Sequence, residues 1–232
     1  MIMNADYPLI SCICITGGRI ALLKKAINCF NNQDYPNKEM VVSFPLKDRL
    51  TRYVVQKIQK ENVNVLPIER SDDEYLGTAR NKAIETANGE YICIWDDDDW
   101  YHPSRLSYQY GCLKNADDRF IGCVFSRLLL FDSTLKKTYL SFYYVWEGTL
   151  MCQKEFFIKH HYTSKNRGED SNVIDVLDSG KMLSHIADFP FLYIYVYHGS
   201  NTWSNAHFKS FFKRSEILDE DITENVLRLL GE

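Results

Sequence analysis

The sequence has no C-x-x-C pair, although seven cysteines are scattered along its 232 residues. Their odd number and lack of metal-ligand spacing argue against a disulfide framework, and most sit in apolar runs where a thiol packs as a small hydrophobe. A reducing, cytoplasmic compartment is expected. Long hydrophobic runs are also missing: the longest, Phe189 to Tyr197, is too short to cross a bilayer. Met1 to Tyr7 carries no charged segment followed by an apolar one, so no signal peptide is expected. Any membrane association would be peripheral, at the inner face. There is no basic excess, the net charge being -4, and so no general field to draw nucleic acid, which is not an expected partner. No internal repeat, low-complexity tract or Pro/Gly/Ser linker divides the chain. One domain over residues 1–232 follows, long enough to bury a substantial core.

What is present is a rhythm. Short apolar runs alternate with amphipathic stretches through the first half, the pattern of βαβ units feeding a mostly parallel sheet with helices on both faces. Strands are predicted at Leu9 to Ile15, Met40 to Phe44, Val63 to Ile68 and Tyr91 to Trp95. Helices are predicted at Arg19 to Asn32, Arg49 to Glu61 and Gly77 to Ala87, where apolar residues recur at helical spacing. Pro103 marks the start of another helix through Leu113. Beyond residue 120 the rhythm becomes mixed. Strands are predicted at Ile121 to Phe125 and Tyr139 to Val145 about a turn at Asp132-Ser133, then at Leu183 to Ala187 and Phe191 to Tyr197. Helices are predicted near Lys154 to His160, Asp170 to Ser179, Ala206 to Arg214 and Asp219 to Leu230.

The fourth strand runs directly into Asp96-Asp97-Asp98-Asp99. Four adjacent carboxylates raise one another's pKa and cannot all ionise in a dry site without a compensating cation. In an open parallel sheet, ligands bind beyond the carboxyl ends of the strands, where this run emerges. Hard divalent cations take carboxylate oxygens and leave positions for phosphate, so the run suits a metal–diphosphate complex. The plain alternative is a solvated acidic turn before the next helix.

The stretch from Gly77-Thr-Ala-Arg80-Asn81 through Gly89-Glu90-Tyr91-Ile to Trp95-Asp96-Asp97-Asp98-Asp99-Trp100-Tyr-His-Pro103 resembles the central signature of family-2 glycosyltransferases with the GT-A fold. Pro8 to Thr16 resembles the family's first, nucleotide-contacting strand. The resemblance implies a Rossmann-like sheet with a smaller mixed acceptor-side subregion: residues 1–118 as the nucleotide-sugar half, and 119–232 as the acceptor half with C-terminal helices. It implies an inverting enzyme using Mg²⁺ or Mn²⁺ and a UDP- or GDP-sugar donor. The acceptor would be a glycan or lipid-linked hydroxyl. Asp98 would ligate the metal, with Thr16, Arg80, Asp96 and Asp97 near the donor and Asp99 either functional or capping the next helix. Arg80 also suits a diphosphate on its own chemistry, since a guanidinium binds phosphate bidentately; an ion pair with Glu85 or the aspartates is the alternative.

Arg167-Gly168-Glu169-Asp170 resembles the motif that supplies the family's general base, with Asp170 the first choice and Glu169 the second. Either could instead be an acidic helix start. Trp146-Glu147-Gly148-Thr149 stands where relatives place an acceptor-side turn, with Trp146 and Gly148 as the contacts or Trp146 simply as core. His198-Gly-Ser-Asn201 resembles a C-terminal segment whose histidine completes the metal shell or binds phosphate, the plain reading being a histidine that orders its loop. One departure stands out. Where many relatives end the second strand with Asp-Asp-Gly-Ser, this chain has Ser43-Phe44-Pro45-Leu46-Lys47-Asp48. Asp48, or Asp72 and Asp73, are candidates to replace those acids, and Lys47 to meet a phosphate. A catalytically silent sugar-nucleotide or glycan-binding module of the same fold is the second reading. A nucleotidyltransferase is the third, with only Thr16-Gly17-Gly18-Arg19 as a faint echo of a phosphate loop.

Overall fold

The computed structural model describes residues 7–231; residues 1–6, which hold most of the segment behind the signal-peptide expectation, and residue 232 lie outside it. The expected parallel unit is present. Strands β1 (Ile10–Ile15), β2 (Lys38–Pro45), β3 (Val65–Arg70) and β4 (Tyr91–Ile94) run parallel in the order β3-β2-β1-β4. They are linked by α1 (Ile20–Asn31), α2 (Arg49–Glu61) and α3 (Leu76–Thr86). Alternation in β1 explains why both sheet faces need covering. Ile10, Cys12 and Cys14 pack with Leu23, Ala26, Ile27 and Phe30 of α1, whereas Ile13 packs on the other face with Ala83 and Ile84 of α3. The cysteines here are core hydrophobes, as their apolar setting implied.

After β5 (Trp100–Tyr101) and α4 (Arg105–Lys114), β6 (Gly122–Phe125) returns to the same sheet. The hairpin of β7 (Leu129–Asp132) and β8 (Lys137–Leu140) leaves it to start a second one. Strand β9 (Met151–Gln153) slots between β4 and β6, antiparallel to both. Then come α5 (Lys154–Lys159), α6 (Ser171–Ser179), β10 (Leu183–Ile186), β11 (Tyr193–Tyr197), α7 (Asn205–Arg214), β12 (Glu216–Ile217) and α8 (Glu220–Leu230). The large sheet reads β10-β6-β9-β4-β1-β2-β3, and the smaller one β12-β8-β7-β11-β5. The change to mixed pairing after residue 120 is therefore present.

Several expectations need correction. Residues 139–145 are not one strand: pairing ends at Leu140, and Ser141 Oγ turns back to accept from Leu128 N at 3.0 Å. The strand opposite the Asp132 turn is Leu129–Asp132, not Ile121–Phe125, because β6 pairs with β9 and β10 in the large sheet. Pro103 precedes rather than opens α4, which starts at Arg105 after Ser104. Residues Pro190–Leu192 form a 3₁₀ turn before β11. The short strands β5, β9 and β12 carry no periodic signal at two or three residues each.

Candidate active site

The neighbouring strands β1 and β4 end together at the carboxyl rim in the middle of the large sheet, where Trp95 N, one residue past β4, donates to Ile13 O at 3.0 Å. Asp96 to Asp99 emerge there and part company. Asp97 turns inward beneath the chain after β1, accepting from Thr16 Oγ1 at 2.5 Å and from Arg19 at 2.5 Å. Burial and the neighbouring Asp98 push its carboxyl up to about 6, against the pull of Arg19 and Thr16. Asp98 Oδ2 is the convergence point: Arg19 NH1 donates to it at 2.9 Å, His198 Nε2 lies 3.2 Å away and Asn201 Nδ2 3.5 Å. Burial alone would raise Asp98, but the His198 contact and the Arg19 charge hold it below the usual carboxylate range. Asp99 does not cap the following helix. It is buried, accepting from Tyr193 OH and, at 2.8 Å, from Val196 N, so it ties β11 of the small sheet to the aspartate run.

Asp96 faces Arg80. The guanidinium of Arg80, projecting from α3, reaches Asp96 Oδ1 at 3.2 Å, is ion-paired with Glu169 and lies 4.0 Å from Asp170 Oδ2. Glu85 is not its partner. Burial raises both Asp96 and Glu169 despite this cation, while the surrounding carboxylates raise Arg80 against its own desolvation. Helix α3 also fixes the loop that carries Glu169 and Asp170: Asn81 exchanges two 2.9 Å hydrogen bonds with the backbone of Tyr162. Asp170 sits at the N-cap position of α6, yet its side chain makes no capping bond there.

Several of these groups border a cavity of about 270 Å³. Arg19, Arg80, Asp96 and Asp98 line one part of it, and Glu169 and Asp170 another. Trp146, Glu147 and Gly148 supply a third part, with Trp203 and His207 closing it from the C-terminal segment. Thr16, Asp97 and His198 are not on the wall and reach it through Arg19 and Asp98. Gly148 stands where a Cβ would come within 3.1 Å of Asp96 Oδ2, so a side chain there would press on that carboxylate. Trp146 is both wall and core: it packs against Phe142, Tyr144, Tyr195 and Phe211, and its indole Nε1 is buried without a partner.

The candidates for the missing second-strand acids are occupied. Asp48 caps α2 through Thr51 N at 3.0 Å and accepts from Gly18 N at 2.7 Å; Lys47 pairs with Asp72 at 3.1 Å; Asp73 accepts from Ser71 Oγ at 2.8 Å. Two wall residues carry little sequence signal. Arg19 is a lone arginine after two glycines, and Glu147 is one acid between the more conspicuous Trp146 and Gly148. Burial, with Asp170 facing it, pushes the Glu147 carboxyl up to about 7.

Asp98 and His198 bring an oxygen and a nitrogen to one point, donor types that a divalent cation takes, and the oxygen also accepts from the Arg19 guanidinium. Among the described residues no group of three or more His, Cys, Asp or Glu is gathered to hold a metal ion, so an ion there would have to draw the rest of its shell from water or a bound ligand.

The model of glycosyl transferase family 2 matches residues 11–185. An uncharacterised glycosyltransferase of Methanocaldococcus jannaschii is 26% identical over 167 residues, covering 70% of this chain and 56% of that protein. The GalNAc(5)-diNAcBac-PP-undecaprenol beta-1,3-glucosyltransferase of Campylobacter jejuni is 32% identical over 93 residues, covering 40% and 30%. The chain thus spans about half or less of these relatives' length. The structure of S. aureus TarS in complex with UDP-GlcNAc superposes with a TM-score of 0.65 at 13% identity, covering 83% of this chain and 60% of that one. The mannosyltransferase PcManGT from Pyrobaculum calidifontis, in complex with GDP-Man and Mn²⁺, gives 0.63 at 16% identity, covering 83% and 57%. At such identities the likeness is one of fold, and the fold is of the GT-A type. By the span of the family match, the chain belongs to glycosyl transferase family 2.

Proposed function

We propose that this protein transfers a sugar from a UDP- or GDP-sugar to an acceptor hydroxyl with inversion, using Mg²⁺ or Mn²⁺ at Asp98 and His198 and Asp170 as the general base. The observation that carries the reading is one cavity bordered by Asp98 and Arg80 on the donor side and by Asp170 beyond the Arg80 guanidinium. Relatives lend support: TarS was captured with UDP-GlcNAc, PcManGT with GDP-Man and Mn²⁺, and the Campylobacter relative is named for a lipid-linked acceptor. The whole of residues 1–232 would act as one domain. Both proposed halves contribute to the large sheet, since β6, β9 and β10 follow residue 119.

A bound divalent cation would supply charge to stabilise the departing diphosphate. Arg80 is placed to add a second positive group beside it, and Thr16 and Asp97 brace Arg19 and the aspartate turn from beneath. Glu169 is paired directly with Arg80, whereas Asp170 lies farther from it at 4.0 Å, which supports Asp170 as the group that takes the acceptor proton as the hydroxyl attacks. Trp146 and Gly148 shape the acceptor side, an aromatic wall beside a turn without a side chain. Rate enhancement then comes from positioning and from charge placed against an oxocarbenium-like transition state.

The silent-binder reading draws on the occupied Asp48 and Asp72 at the end of the second strand, and turnover separates the two. A panel of UDP- and GDP-sugars with Mn²⁺ should give donor hydrolysis or transfer by the wild type. Asp170→Asn should lose about 10²- to 10⁴-fold in turnover while retaining nucleotide binding, and Asp98→Ala should lose metal-dependent activity. Binding of a donor with no turnover by the wild type would favour the silent module; undiminished turnover in Asp98→Ala would remove the metal assignment.

A further inference from the structure

Arg19 is the one cavity-lining residue whose charge lies directly on the carboxylate proposed for the metal. Its guanidinium spans two aspartates, with NH2 on Asp97 Oδ1 at 2.5 Å and NH1 on Asp98 Oδ2 at 2.9 Å. The second of these oxygens is also the one that His198 Nε2 approaches at 3.2 Å. An oxygen that already accepts an arginine N–H binds a divalent ion less strongly, because the guanidinium charge repels the ion and draws on the same carboxylate charge. Arg19 makes no side-chain cap to α1, and its side chain is about 30% exposed. It follows Gly18, whose backbone φ of +67° lies in the left-handed region where glycine is at ease and whose surroundings are open.

We infer that Arg19 competes with the divalent cation for Asp98, and that the donor's diphosphate relieves this competition by taking the guanidinium over. The inference rests on the proposed function and deepens it: metal and donor binding become one coupled event through this side chain. Charge balance gives the reason. Asp97 and Asp98 together carry up to two negative charges, which Arg19 offsets only in part. A divalent ion on Asp98 supplies the remainder and more, leaving the guanidinium with a weakened partner close to a second cation. A diphosphate arriving in the cavity offers oxygens that a guanidinium binds bidentately, and these also complete the ion's coordination. Metal alone must therefore displace Arg19 uncompensated, whereas metal with nucleotide need not. By linkage, nucleotide must tighten metal binding by the same factor as metal tightens nucleotide.

The test is Mn²⁺ binding followed by electron paramagnetic resonance, with and without saturating UDP or GDP, on the wild type, Arg19→Met, Arg19→Lys and Asp98→Ala. Melting curves confirm that each variant folds. In the wild type, Mn²⁺ should bind weakly alone and at least about tenfold more tightly with nucleotide, within the usual range of coupling between sites. Arg19→Met should bind Mn²⁺ more tightly than wild type without nucleotide, bind nucleotide less tightly, and lose most of the coupling. Arg19→Lys should fall between, since it keeps the charge but not the bidentate fork. If Arg19→Met binds Mn²⁺ alone no better than wild type, while Asp98→Ala abolishes binding, the inference fails and the metal assignment stands. If the wild type takes up no Mn²⁺ even with nucleotide, both fall together.

Discussion

At the scale of single residues, the aspartate run shows where reading from type and spacing stops. Asp98 and His198 are 100 positions apart, and the family resemblance, not their spacing, suggests that they meet. The sequence leaves Asp99 between a functional role and a helix cap, because its actual partners, Tyr193 and Val196, are nearly 100 positions away and no motif links them to it. Glu147 was hidden for a different reason: its acidity depends on burial and on Asp170, neither of which a sequence displays. Its raised carboxyl makes a prediction about stability. In the unfolded chain Glu147 titrates near 4.5 and in the folded one near 7. The folded state thus holds the proton more tightly, and this contribution is full below about pH 4.5 and lost as pH rises through 7. Glu147→Gln, which cannot ionise, should therefore gain about 1–3 kcal/mol relative to wild type between pH 4 and pH 8 after allowance for solvent screening. Urea melts at the two pH values measure this, and an equal difference at both would refute it.

At the scale of elements, α3 matters more than its sequence pattern suggests. Its Ala-Arg-Asn face was legible, but the reason for Gly77 was not. A Cβ at Gly77 would lie 1.9 Å from Thr163 O, a contact that no side chain can make. Gly77 N also donates to Lys165 O at 3.1 Å, so the first turn of α3 presses directly on the loop leading to Glu169 and Asp170. Gly77→Ala should displace that loop, cost about 1–3 kcal/mol of stability and reduce turnover more than nucleotide binding. Gly111 is the control. It lies within α4 with nothing within 4 Å of a built Cβ, so Gly111→Ala should be neutral or stabilising by about 0.5–1 kcal/mol. Equal effects of the two substitutions on stability and turnover would show that the Thr163 contact is unimportant.

At the scale of the whole molecule, the parallel half was readable because buried parallel strands are apolar on both faces and alternate with amphipathic helices. The second sheet was less so. Its strands are two to five residues long and are drawn from residues 100 to 217, leaving periodicity too little length to register. That sheet nevertheless supplies the histidine after β11, while the helices and loops around it supply Trp203 and His207 to the cavity. No helix among the described residues is long and apolar enough to cross a membrane. A lipid-linked acceptor would therefore have to be met without a spanning helix from these residues.

The division of labour in the cavity is tested most directly by a crystal structure of the protein with Mn²⁺ and UDP or GDP, phased to show the manganese by anomalous scattering. A single peak bonded to Asp98 Oδ2 and His198 Nε2, with diphosphate oxygens completing its shell and Asp170 facing the sugar position, is the expected result. Manganese bound away from Asp98, or a nucleotide seated outside the cavity lined by Arg80, Asp96 and Asp98, would contradict it.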